Sequence, residues 1–195
     1  MGARDDILAA VRRASVPPCD HPGVAGLGAG LDDLPGRFSE MVAAAGGRCV
    51  RVADLTGADR VLRELPAYRE AGRVATLVPG VGEGTVDPSG IDEPHALDGL
   101  DLCVLRGELG VAENGAVWID GRLLPHQALV VIAEHLAIVV QARALVADMH
   151  QAYARLDVGR GFGLWLAGPS KTADIEQALV VGAHGARSCV VLLVG

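Results

Sequence analysis

The chain has 195 residues, of which 50% are apolar and 21% charged, a content that excludes wholesale disorder and allows a large core. Its 17 Lys and Arg are outnumbered by 24 Asp and Glu, for a formal net charge of -7, so it lacks the basic face that binding to a phosphate backbone needs. Two Phe, two Trp and two Tyr make no stacking platform for bases and leave the core to Ala, Val and Leu.

Residues 4–15 read as a short amphipathic helix with Ile7, Leu8 and Val11 on one face. This stretch carries Arg4, Asp5, Asp6, Arg12 and Arg13 and has no apolar h-region, so no signal peptide is expected. The Pro- and Gly-rich segment Val16–Gly30 is expected to be a linker or wrapping loop. Residues 1–30 are thus an N-terminal helix and linker, and 31–195 are expected to form one domain.

A second helix should start at Asp32 or Asp33 and stop at Gly46–Gly47. An alternation follows. Cys49–Ala53 reads as a strand, 57–70 as a helix interrupted at Pro66, and Val74–Val78 as a strand covered on both faces. Pro79–Gly99 is a Gly/Pro/Asp loop. Its Gly80, Gly82 and Gly84 lack phosphate-loop spacing, so it is expected to be flexible, a lid over a site. Asp101–Leu105 and Ala116–Asp120 read as strands, as do the apolar runs Leu129–Ile132 and Leu136–Val140. Residues 146–156 read as a helix, Gly163–Ala167 as a strand, 173–182 as a helix and Cys189–Val194 as a closing strand. The pattern implies an α/β fold: three layers, a mainly parallel sheet with helices on both faces, plus a small antiparallel strand-rich portion around 100–140.

The apolar runs are short and broken by Glu134 and His135, well below the ~20 residues of a spanning helix. No membrane span is expected. Cys19, Cys49, Cys103 and Cys189 are scattered without any CxxC, so neither zinc nor iron–sulfur spacing is present and free cytoplasmic thiols are expected. Glu134–His135 is not the start of an HExxH motif.

Three segments carry candidate chemistry, on the rule that ligands in open α/β sheets bind at the carboxyl ends of strands. In Gly168–Glu176 (GPSKTADIE), Gly168 permits close backbone approach, Ser170 and Thr172 offer hydroxyls and Lys171 a positive charge. The alternative is that Ser170 or Thr172 caps a following helix, with Asp174 and Glu176 complementing its dipole. Glu113, beside the Asn114–Gly115 turn, is a candidate catalytic carboxylate, as base or as nucleophile toward an activated acyl group. It could equally be a solvent-facing acid next to a hairpin. His184 and Arg187 lie in the loop before the last strand, where Arg187 could fork onto an anionic oxygen pair. His135, between apolar runs, reads as a structural histidine.

The segments AENGAVWID, EHLAIVV and GPSKTADIEQALVVGAHGARSCVVLLV together resemble the lactate-utilisation protein C family (LutC/YkgG, the LUD domain). The match covers roughly residues 100–194. It departs from the family pattern at Asn114, Ala186 and Lys171, where Thr, Pro and Arg are common; Lys keeps the charge of Arg but loses the planar fork. The resemblance implies a fold like that of the ribose-phosphate isomerase, glucosamine-phosphate deaminase and CoA-transferase group. It also implies a part in the oxidation of L-lactate to pyruvate alongside iron–sulfur partner proteins, with no cofactor held by this chain. Glu113–Asn114–Gly115 is similar to the E-N-G of CoA-transferases, whose Glu forms acyl and then CoA-thioester intermediates. Two readings remain beside that of an accessory or substrate-binding subunit. One is a stand-alone enzyme on an organic anion or phosphorylated substrate, with Glu113 as its carboxylate. The other is a regulatory or interaction domain.

Overall fold

A computed structural model describes residues 2–14, 19–20, 23, 30–157, 161–173 and 179–195. Most of the expected linker Val16–Gly30, and Asp174 and Glu176 with it, lie outside the described residues. In chain order the elements are α1 (Ala3–Arg13), α2 (Leu34–Ala44), β1 (Arg48–Val52), α3 (Leu55–Glu64), α4 (Pro66–Arg69), β2 (Val74–Thr76), β3 (Leu102–Gly107), β4 (Leu109–Val111) and β5 (Val117–Asp120). There follow α5 (Leu129–Ile132), β6 (His135–Gln141), β7 (Leu145–Val146), α6 (Met149–Arg155), β8 (Gly163–Leu166), β9 (Lys171–Ala173), β10 (Leu179–Val181) and β11 (Ser188–Val194).

The main sheet has the order β1-β11-β6-β3-β2 and every pairing in it is parallel. Alternate residues of its central strands enter two different cores, as the period of 2 dictates. Cys103, Leu105, Leu136, Ile138, Cys189 and Val191 meet Phe38 and Val42 of α2 on one face. Leu102, Val104, Ala137, Val139, Leu192 and Val194 meet Ala58 and Leu62 of α3 on the other. With both faces covered, these strands are written as nearly unbroken apolar runs.

A second sheet, β7-β4-β5-β8, is antiparallel at β4–β5 and β5–β8 and parallel at β4–β7. Its Val117, Ile119 and Leu145 join the core on the α2 side. The α/β class, the parallel sheet between helices and the small antiparallel portion are therefore all present.

The interruption expected at Pro66 is real: Leu65 leaves helical geometry at ψ 131 and Pro66 opens α4. Three expectations are corrected. Leu129–Ile132 is a helical turn, closed by the Ile132 amide on the Ala128 carbonyl at 2.8 Å. A four-residue apolar run carries no period that separates helix from strand.

The helix expected over 173–182 is instead the antiparallel pair β9–β10, with Thr172 opposite Val180; residues 174–178 lie outside the described ones. The β-branched Val180 and Val181 suit an extended strand better than a helix.

The Gly80–Gly84 loop is not a loose lid. Val81 is fully buried, the Gly82 amide donates to Asp59 Oδ1 at 2.8 Å, and the Glu83 amide donates to Tyr68 Oη at 2.8 Å.

Candidate functional site

The strands of the parallel sheet end in two sets of loops, and His184, Arg187 and Ser170 gather at one of them. Glu134 and Arg187 immediately precede β6 and β11, so they lie at the amino-terminal edge. The Arg187 guanidinium forms an ion pair with the Glu134 carboxylate, and the Arg187 amide donates to the Glu134 carbonyl at 2.8 Å. With side chains 65% and 42% exposed, this pair is solvated, and Arg187 is already neutralised by a carboxylate. His184 and Arg187 share an open cleft of about 570 Å³ with Glu134, Val131 and Ile132. His135 Nδ1 is 2.8 Å from Ser188 Oγ on the adjoining strand, a bond that ties β6 to β11.

Ser170 belongs to the same edge through its backbone. Its amide donates to the Ala186 carbonyl at 2.8 Å, and its carbonyl accepts from the Gly182 amide at 3.0 Å. Lys171 is exposed and opens β9. A Cβ on Gly46 would meet its Nζ at 2.7 Å, so the ammonium lies just beyond the last turn of α2, where the helix dipole favours a cation. Thr172 is half-buried in β9, opposite Val180 of β10.

Gly168 turns the chain from β8 toward β9 at φ 74, and a Cβ there would lie 2.4 Å from the Ala45 carbonyl oxygen. Gly115 is placed alike, at φ 72, with its Cβ position 2.6 Å from the Val42 amide nitrogen. Both glycines therefore serve the approach of a loop to the backbone of α2.

Glu113 is exposed, and Oε2 accepts from the Met149 amide at 3.1 Å where α6 begins. Its own amide donates to the Ala147 carbonyl at 2.9 Å. In this position the carboxylate complements the start of a helix. Glu113, Ser170 and Lys171 do not line the cleft that holds His184 and Arg187.

The opposite edge holds what sequence reasoning missed. A crevice of about 500 Å³ opens at the carboxyl ends of β2, β3 and β6, lined by Leu77, Pro79, Arg106, Glu108, Gln141 and Arg143. Arg106 Nε lies 2.9 Å from Glu108 Oε1. The signal was available: the apolar runs ending at Leu105 and Val140 are followed at once by Arg106, Glu108, Gln141 and Arg143. The carboxyl-end rule applies here, whereas β8, which precedes the GPSK segment, belongs to the second, mixed sheet.

The thiols lie apart. Cys103 of β3 and Cys189 of β11 are both in register with Leu136 of β6, one on each side. Two strand spacings, roughly 9–10 Å, separate their backbones, and burial pushes both thiols up to about 12. Burial also raises Cys49, outweighing the Ser39 hydroxyl and Arg51. Among the described residues no group of three or more His, Cys, Asp or Glu could hold a metal ion. No described helix is long and apolar enough to cross a membrane.

The sequence pattern of the LUD domain family matches residues 95–194. Among solved structures, the chain is similar to a DUF162 family protein from Deinococcus radiodurans, whose crystal structure was determined at 1.70 Å resolution. The two share 21% identity with a TM-score of 0.58, over 83% of this chain and 96% of the other. At that identity the likeness establishes the fold. No protein of curated function matches the chain.

Proposed function

Because the chain belongs to the LUD domain family, we propose that it is an accessory or substrate-binding subunit of a cytoplasmic lactate-utilisation system of the LutC/YkgG kind. The oxidation of L-lactate to pyruvate releases two electrons and two protons. On this reading the electrons pass to iron–sulfur clusters in partner proteins, and this chain binds substrate or organises the assembly.

The observation that supports this division of labour is where the thiols stand. Cys103 and Cys189 are sealed in the core on either side of Leu136. Cys49 is half-buried on β1, and Cys19 is exposed beyond α1. A cluster held by cysteine thiolates needs several of them deprotonated around one centre. Thiols raised by burial and set on separate strands are poor candidates for that task.

The role is tested by capture of the tagged full-length chain from native cell extract, with identification of what co-purifies. Cysteine-rich iron–sulfur proteins are the expected partners. Recovery of the chain alone, under conditions that preserve other complexes, would count against the role.

A further inference from the structure

We propose that the crevice at the carboxyl ends of β2, β3 and β6 binds a small organic monocarboxylate, with Arg143 as the principal anchor. The proposal rests on the substrate-binding form of the role above, and it places the ligand at the opposite edge of the sheet from Arg187.

Three features converge here. The first is topology. Parallel strands deliver their following loops to this edge, and ligands of open α/β folds sit there. The second is an uncommitted cation. Arg143 is exposed at the end of β6, and its guanidinium has no hydrogen bond or ion pair among the described residues. Arg187, by contrast, is spent on Glu134. A guanidinium fork matches the two oxygens of a carboxylate.

The third feature is charge and shape. Arg106 and Arg143 bring two positive charges to the crevice and Glu108 one negative charge. A monoanion neutralises the remainder, whereas a dianionic phosphate would leave excess negative charge beside Glu108. Gln141 offers an amide donor and an acceptor to a hydroxyl or carbonyl next to the carboxylate. Leu77 and Pro79 supply an apolar wall for a short alkyl group.

The test is calorimetric titration of the full-length chain with L-lactate, pyruvate, acetate and inorganic phosphate, with circular dichroism to verify each variant's fold. The carboxylates are expected to bind and phosphate to bind more weakly. Arg143→Met should weaken carboxylate binding about tenfold or more, and Arg143→Lys should restore part of it. Arg37→Met, which removes the same charge from α2, should leave affinity unchanged.

Wild-type protein that binds none of the carboxylates at millimolar concentration overturns the site. So does a folded Arg143→Met protein of undiminished affinity, or one that retains binding while Arg187→Met loses it. A chain that binds no carboxylate yet supports lactate oxidation with its partners overturns this site and leaves the subunit role standing. Carboxylate binding by a chain that contributes nothing to lactate oxidation upholds the site and overturns the role.

Discussion

Gly115 and Gly168 press against the backbone at the end of the same helix, at Val42 in the last turn of α2 and at Ala45, its C-cap. Each lies two residues outside the Val117–Leu166 pair that closes the β5–β8 ladder, so the second sheet is seated on α2 by two glycines at one end. The GPS and ENG segments, read as chemistry from their residue types, thus have a packing role at their glycines. Alanine at either position combines a left-handed backbone with an overlap against main-chain atoms. Gly115→Ala and Gly168→Ala should each lower stability by about 2–5 kcal/mol in urea unfolding. A loss below 1 kcal/mol would show that the loops can lift away from α2.

The legibility of the fold followed residue pattern closely. Leu102–Leu105 and Leu136–Val140 announced parallel strands because two covered faces demand apolar side chains on both sides of the strand. Pro66 announced its helix break for a local steric reason. The strands β4 and β7, three and two residues long, have no pattern of their own and exist through their partners. The strand at Leu179–Val181 is set by pairing with Lys171–Ala173, a partner that the local pattern does not carry.

The site was harder to read. Ser170, Lys171 and Arg187 stand in contiguous motifs, whereas the carboxyl-end crevice is assembled from residues scattered over three strand ends. Only the sheet order brings Pro79, Arg106 and Arg143 together.

Thiol chemistry follows from burial. Cys103 and Cys189, with thiols held near 12 inside the core, should be inert toward a disulfide reagent at pH 8, because the thiolate is the reactive form. Exposed Cys19 should react at once and half-buried Cys49 slowly. Counting thiols released in native and in denatured protein checks this; fast modification of all four in native protein would contradict the core described.

Asp59 couples α3 to the Gly80–Gly84 loop, accepting from Arg63 Nε at 2.8 Å and from the Gly82 amide at 2.8 Å. The Arg63 bond, then the Gly82 amide, hold its carboxyl below the ordinary value. A carboxyl lowered by folding stabilises fully above its unfolded value, about 3.9, and loses that contribution as pH falls through the lower folded value. Asp59→Asn should therefore be less stable than the wild type at pH 7, by about 1 kcal/mol. The gap should close as pH drops below about 3.9. Denaturant titrations at pH 7, 5 and 3 measure it, and a gap that is constant with pH would contradict the assignment.

The Arg187–Glu134 pair is solvated on both sides, so its charge adds little. Arg187→Ala should cost no more than about 1 kcal/mol of stability and less at high salt. The Arg187 amide bond to Glu134 survives the substitution. A loss of several kcal/mol would mean that the guanidinium braces the β6–β11 junction.

The proposed subunit role requires that lactate oxidation depend on this chain together with partners and not on the chain alone. The direct measurement is L-lactate-dependent reduction of an electron acceptor by the purified iron–sulfur partners, with and without the chain, and by the chain by itself. The isolated chain should show no turnover, and partner activity should rise when it is added. Robust lactate oxidation by the chain alone, or partner activity indifferent to its presence, would contradict it.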